Sequence, residues 1–356
     1  MTTKTLLTLN KEIENFLIER GALKVGFATL ESLAGGPPSA DITYILPEAR
    51  SAISYALLFD RDKIRDYLSK KNFEEHEKNR FYLNYRSVEI SRELAVWLKD
   101  KGYHSKAVIS NNNYRKEIKD WPLTMPPKLS HRYMAVRSGV GSYGWSGNVG
   151  IKGYGTTILL GTVVTTAELE PTDPLPPEES FCNNCKTCVS VCSAGLFERD
   201  KEANVTLGGK SFSHSARNSI IRCQYVCGGF TGLNPNGKWS TWSPGRFKIP
   251  EEDSEIMKMM SKAIPKYRQW PKRTDCDGGY ENEAAPGLNI RLTCGMCQNI
   301  CWGNPKDTSE NYRVLINSGC VIQRENGDIE VYSAEETEKV FEAMSPNHKD
   351  LYRLEN

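Results

Sequence analysis

The sequence contains no run of about 18 apolar residues, the shortest stretch read as a membrane-crossing helix. Its first ten residues, Met1 to Asn10, hold neither an apolar signal core nor a twin arginine. The expectation is therefore a soluble cytoplasmic protein with no membrane segment. No block of lysine and arginine stands out, and the formal charge is only +2. A nucleic-acid partner is thus not expected, with tRNA left open, and a small-molecule substrate is the first expectation. Low-complexity tracts are missing, and no segment repeats apart from the cysteine runs described below. Histidine is scarce, with five scattered copies at positions 76, 104, 131, 214 and 348. What remains, with 39% hydrophobic residues, is enough for a sizeable core.

Cysteine is not scarce. Eleven are present, and seven fall in two runs, Cys182-x2-Cys185-x2-Cys188-x3-Cys192 and Cys294-x2-Cys297-x3-Cys301. Thiolates at these spacings wrap a 4Fe-4S cube, and in such runs the fourth cysteine crosses to the other cluster. Zinc knots and disulfide frameworks do not normally use the first ladder, and a disulfide scaffold belongs to much shorter secreted chains. Two cubes need eight thiolates, so one ligand lies outside the runs, because Arg291 stands where the second run would open. Cys223 is the first candidate and Cys227 the next, with Cys276 and Cys320 as outsiders. The crossing rule predicts one set of Cys182, Cys185, Cys188 and Cys301, and another of Cys192, Cys223, Cys294 and Cys297.

Ahead of the runs, helices and strands alternate. Leu9, Ile13, Phe16 and Leu17 recur at helical spacing and stop at Gly21. Strands are predicted over Lys24 to Thr29, Ala52 to Phe59, Ser105 to Ser110 and Thr156 to Thr166, and helices over Val88 to Lys99 and Lys128 to Arg137. The Pro, Glu and Asp of 168–179 mark a boundary. We expect domains at 1–170, 171–310 with a long insertion at about 228–287, and a C-terminal extension over 311–356. Trp239, Trp242 and Trp270 of the insertion either wall an apolar cavity or pack a small loop onto the module. Glycines crowd 139–155, and Gly139-Val-Gly141-Ser-Tyr-Gly144 reads as G-x-G-x-x-G. A helical segment precedes it and more glycine follows, so the strand-turn-helix context of a dinucleotide site is missing. A cradle for a bulky cofactor and plain tight turns both stay open.

Arg137-Ser-Gly139-Val-Gly141-Ser-Tyr-Gly144-Trp-Ser-Gly-Asn148, Tyr154-Gly155, Leu160-Gly161 and Glu168-Leu-Glu170-Pro171, followed by both cysteine runs, resemble the core shared by reductive dehalogenases and epoxyqueuosine reductases. The resemblance implies an α/β (α+β) fold, with a nitroreductase-like cobalamin-binding domain followed by a ferredoxin-like module carrying two 4Fe-4S clusters. It also implies cobalamin against the glycine loop, at positions matching Gly139, Gly141, Tyr143, Asn148 and Gly155. The histidine-donating D-x-H-x-x-G motif is absent, which agrees with a base-off, His-off cofactor. Epoxyqueuosine reductases carry an aspartate proton donor in Asp-x-x-Pro, where this chain reads Leu123-Thr-Met-Pro126. Their C-terminal helical repeats are also missing. These departures lead to the expectation of a reductive dehalogenase-like enzyme cleaving a carbon-heteroatom bond, with an epoxyqueuosine reductase or a corrinoid-free electron carrier as alternatives. Ferredoxin or flavodoxin would supply electrons. Tyr114, assisted by Lys128, is the expected proton donor, with Tyr85 and Tyr143 in reserve.

Overall fold

The computed structural model describes residues 3–109, 113–275, 280–282, 285–290 and 292–354. Cys276 and Arg291 lie outside them. Thr3–Ile18 is helical and turns its buried Leu9, Ile13 and Leu17 onto a four-stranded sheet. Its strands run in the spatial order Lys24–Thr29, Ser51–Leu58, Ile158–Thr165 and Ser105–Val108, every neighbouring pair antiparallel. These positions match the predicted strands to within about two residues. The two middle strands are almost wholly buried and read as near-continuous Val, Ile, Leu, Ala and Thr, as strands covered on both faces do.

The helix predicted over 88–99 is longer, Glu74–Asp100. Its added turns are polar outside, and Glu74, Glu75 and Glu77 lie in its first turn, where the helix dipole favours negative charge. Leu83, Ile90, Leu94 and Leu98 pack it on the sheet, and Tyr55 ties it down by donating to the Ser87 carbonyl at 2.7 Å. The second predicted helix begins later, at His131, because Ser130 caps Tyr133 N–H with its side chain.

One apolar core crosses the expected boundary. Leu9, Tyr55 and Ile90 share it with Trp239, Trp242, Met296, Ile300, Leu315 and Val321. The 168–179 segment is bonded back to the first half, with Thr172 N–H on the Phe27 carbonyl at 3.0 Å. The expected limit at 310 falls inside a helix, Pro305–Ile316. The insertion tryptophans are packing residues: Trp242 donates to the Tyr67 carbonyl at 2.9 Å and Trp270 to that of Leu351 at 3.1 Å.

Backbone contact joins the sheet to the second cysteine run. Gly155 has φ 58°, and a Cβ there would strike the Cys301 carbonyl and Gly303 N. Thr156 N–H donates to Cys301 O at 3.0 Å, Gln298 Nε2 to Ile158 O at 3.1 Å, and Tyr67 to Cys294 O at 2.7 Å. Gly155→Ala should therefore lower unfolding free energy by more than about 1 kcal/mol in a urea titration, combining left-handed strain with a clash. An unchanged midpoint would show that this contact carries no weight.

Candidate redox and substrate site

Cys182, Cys185, Cys188 and Cys301 line one cavity with Gly144, Trp145, Phe181 and Ile300, and Cys297 reaches its edge. Local backbone explains how the first run wraps. Asn184 and Lys186 sit in the left-handed region at φ 59° and 56°, so the chain reverses within each C-x2-C step. Gly295, at φ 98°, does the same in the second run. Trp145 N–H points at Cys182 Sγ (3.4 Å) and Leu196 N–H at Cys192 Sγ (3.4 Å), donors that suit sulfur carrying negative charge. Cys185 is exposed. Burial, followed by Cys182, pushes the Cys188 thiol up to about 11.

Five thiols form the second group: Cys192, Cys223, Cys227, Cys294 and Cys297. Cys223 and Cys227 are four apart on the helix Ile220–Cys227, so both face one side, with sulfurs 3.6 Å apart. Burial pushes Cys192 up to about 12, followed by Cys223 and then Cys294. Cys297 is raised by burial and then by Cys192, Cys223 and Cys294. Cys227 instead bonds to Cys223 and Cys294, and its bond holds Cys294 down to about 7. The four thiols of the predicted second set thus sense one another, with Cys227 on their flank. Among the described residues, no three His, Cys, Asp or Glu side chains close around a point fit for a single ion. A donor set of buried thiols that raise one another's pKa suits a cluster whose iron supplies the missing positive charge.

Glycine spacing has a different origin from the one the resemblance implies. Gly139 abuts the Asp173 carbonyl, Gly141 lies where a Cβ would meet Gly150 O at 2.6 Å, and Gly155 meets Cys301. Protein backbone fills the space at all three. Tyr143 and Asn148 face polar surroundings instead. Asn148 Nδ2 contacts Cys297 Sγ at 3.6 Å. Tyr143 packs edge-on against His214 at 5.1 Å. Arg132 Nη1 donates to Gly147 O at 3.0 Å, and Arg217 Nη2 donates to Ser146 O. Burial raises the Tyr143 hydroxyl, while Arg132 and Arg217 pull it back. Burial and Arg132 hold Arg217 down to about 10. Arg132, Asn148, Thr156, Leu160, Gln298 and His131 line a groove of about 210 Å³. His131 Nδ1 contacts Thr162 Oγ1 at 2.8 Å, and its buried Nε2 has no hydrogen-bond partner; Arg217 Nε is likewise orphaned.

Tyr114 is placed elsewhere. It is buried among Met125, Ile221, Tyr225 and Phe230 and stacks on Trp121 at 6.1 Å. Lys128 is exposed, and Tyr85 is 76% exposed on the long helix. Of the tyrosines considered, Tyr143 is the one that senses Arg132 and Arg217 and packs on His214. Arg132, His214 and Arg217 were missed by sequence reasoning. Their one sequence signal was a strand-like stretch, 210–217, carrying His214 and Arg217 among small polar residues.

No family model matches the chain. It is 24% identical over 176 residues to an epoxyqueuosine reductase of Atelocyanobacterium thalassa (isolate ALOHA), covering 49% of this chain and 51% of the relative. It is 26% identical over 179 residues to an epoxyqueuosine reductase of Gloeobacter violaceus, covering 50% and 51%. Its sequence relatives are epoxyqueuosine reductases. The chain spans about half the length of these curated relatives. Among solved structures, one of epoxyqueuosine reductase with an epoxyqueuosine-modified tRNA stem loop matches at TM-score 0.39 and 19% identity, covering 65% of this chain and 60% of that one. A reductive dehalogenase structure described as suggesting a mechanism for B12-dependent dehalogenation matches at 0.44 and 15%, covering 60% and 28%. The chain is a mixed α/β protein, and both curated relatives carry the name of one of the two families that its sequence resembles.

Two expectations are corrected. The curated relatives are epoxyqueuosine reductases, which overturns the dehalogenase-like reading. The expectation of a small organic substrate, with nucleic acid not expected and tRNA left open, falls with it, because both curated relatives carry the epoxyqueuosine reductase name. The reading went wrong because it weighed a missing aspartate and the lack of a lysine-arginine block above the rest of the pattern. Among the described residues, no helix is long and apolar enough to cross a membrane.

The predicted ligand sets separate two neighbours on the helix Ile220–Cys227. Cys223→Ser should lose about half of the iron bound on anaerobic reconstitution, whereas Cys227→Ser should keep all of it. Equal retention by both variants would remove Cys223 from the ligand set.

Proposed function

We propose that this chain is a two-cluster iron-sulfur reductase of the epoxyqueuosine reductase kind, acting on a modified nucleoside in tRNA. The observation that carries the reading is the contact of Asn148 with Cys297 at 3.6 Å, which brings a polar pocket against the second thiol group. Reduction of an epoxide to an alkene takes two electrons and two protons and releases water. In this reading the eight thiols Cys182, Cys185, Cys188, Cys301, Cys192, Cys223, Cys294 and Cys297 hold two 4Fe-4S clusters. Electrons from a ferredoxin or flavodoxin arrive at the first group, where Cys185 is exposed, and leave from the second, beside the pocket.

A corrinoid is the further group proposed. Asn148, which lines the groove, and Tyr143 would hold it. When bound it supplies a cobalt centre that takes electrons singly. The remaining chemistry belongs to side chains of this chain. Tyr143 is the proposed proton donor in place of the missing aspartate. A phenol gives up its proton more readily where cations stabilise the phenolate, and Arg132 and Arg217 partly offset the burial that otherwise raises this hydroxyl above its ordinary range. His214 sets the ring's orientation edge-on.

Surface charge on the insertion supports a polyanionic substrate. The helix Asp253–Tyr267 turns Ile256, Met260 and Ala263 onto the apolar cluster that holds Ile221 and Tyr225 of the cysteine helix. Its outer side carries exposed Lys258 and Lys262, followed by Arg268, and none of the three has an ion-pair partner among the described residues. Lys258 and Lys262 are about one helical turn apart and Arg268 caps the helix six residues later, which is why no block was visible in the sequence.

Three measurements test this reading. Reconstituted protein, given reductant and an epoxyqueuosine-bearing anticodon stem loop, should remove one oxygen from the nucleoside by mass; retention of the oxygen with full iron present refutes it. Tyr143→Phe should lower that turnover by roughly 10²-fold with iron content unchanged, and a wild-type rate would make Tyr143 a bystander. Lys258→Glu, Lys262→Glu and Arg268→Glu together should weaken stem-loop binding and flatten its salt dependence by about two in log-log slope. An unchanged slope would place the RNA elsewhere.

A further inference from the structure

One short loop reaches both thiol groups. Residues 144–148 are closed by Gly144 N–H on the Asn148 carbonyl at 2.9 Å and by Gly147 N–H on the Gly144 carbonyl at 2.8 Å. Gly147 stands at φ 70°, and the space a side chain would need there is taken by Arg217 and His214. Arg132 fixes the loop further by donating to Gly147 O at 3.0 Å, and Asn148 N–H donates to Ser146 Oγ at 3.3 Å. From this frame Trp145 N–H meets Cys182 Sγ of the first group at 3.4 Å, and Asn148 Nδ2 meets Cys297 Sγ of the second at 3.6 Å. The first donor belongs to the backbone, whereas the second is a side-chain amide that a substitution can remove. A sulfur bound to iron carries negative charge and only accepts hydrogen bonds. The amide therefore turns its NH2, not its carbonyl oxygen, toward Cys297.

We infer that the Asn148 amide is an N–H···S hydrogen-bond donor that raises the reduction potential of the cluster bound by Cys297. This rests on the proposed cluster reading. A 4Fe-4S cluster gains one negative charge on reduction, and part of that charge falls on the ligating sulfurs. A donor held against one of them binds the reduced form more strongly than the oxidised form, which moves the potential up. In this role Asn148 acts through Cys297, as a positioning residue. One amide hydrogen is enough for the sulfur. The second hydrogen and the carbonyl oxygen remain for whatever the groove holds, and Asn148 lines that groove together with Arg132 and Gln298. The potential of the second cluster is thus set by a side chain of the pocket that the cluster serves.

Redox titration of reconstituted protein, followed by electron paramagnetic resonance, tests this. Asn148→Leu keeps the size of the side chain and removes the donor. At a fixed poise it should cut the reduced-to-oxidised ratio of one cluster threefold or more, a downward shift of about 30 mV for a one-electron couple. The other cluster should keep its potential, which also certifies the fold. Asn148→Asp puts a carboxylate against the sulfur and should lower the same potential at least as far. In deuterium oxide, electron-nuclear double resonance of the reduced cluster should lose one exchangeable deuteron coupling in Asn148→Leu. The inference is overturned if either variant holds all of its iron with both potentials unchanged, if both clusters shift equally, or if no deuteron coupling is lost. Loss of half the iron in both variants also overturns it, because Asn148 would then serve assembly and not potential. Wild-type protein that binds no iron under reconstitution removes the cluster reading and this inference together, whereas two loaded clusters with unmoved potentials remove only the inference.

Discussion

Everything in this protein is arranged around bringing nine thiols from three distant segments into dry, adjoining spaces. Cys182 to Cys192, Cys223 with Cys227, and Cys294 to Cys301 are separated by long stretches of chain, yet burial and mutual repulsion raise most of these thiols together. Such a set resists ionisation on its own. It needs positive charge at its centre, donors at the sulfurs and a rigid frame, and the fold supplies the last two. Backbone N–H groups of Trp145 and Leu196 aim at sulfur. The second run is held by hydrogen bonds from Thr156 and Tyr67 to its carbonyls and from its own Gln298 to Ile158 O of the sheet.

That frame explains the glycine-rich loop better than a ligand does. Where two backbones must pass in contact, a Cβ is the obstacle, and Gly155 against Cys301 is the clearest case. The loop serves as the joint between sheet and module. Because the joint is so close, side chains at its margins are carried to the second thiol group. Asn148 touches Cys297, and Tyr143 is hemmed in by His214 and two arginines. A polar pocket beside the second thiol group is thus a by-product of how the two halves are bolted together.

Charge is distributed to match. Arg217 and Lys70 have no carboxylate partner among the described residues, and burial lowers both, to about 10 and about 7. Exposed, unpartnered cations lie instead on the insertion helix, one layer outside the cysteine helix. The two sets answer different demands. Inside, low dielectric makes one charge count heavily; outside, water and salt screen each charge and only several together matter.

The cysteine runs were legible because ligand spacing is a local property of the chain, and the strands at 24–29, 51–58 and 158–165 were legible because apolar composition reports burial. Local signals also revealed the amphipathic helix at the start and the family resemblance of the loop. Sequence could not separate Cys223 from Cys227, since both lie on one helix face four residues apart. Nor could it reassign the glycines, bury Tyr114 against the insertion, or gather Arg132, His214 and Arg217 around Tyr143. Those facts depend on contacts between residues tens to more than a hundred positions apart, set by how the halves dock; no short-range period or spacing encodes them.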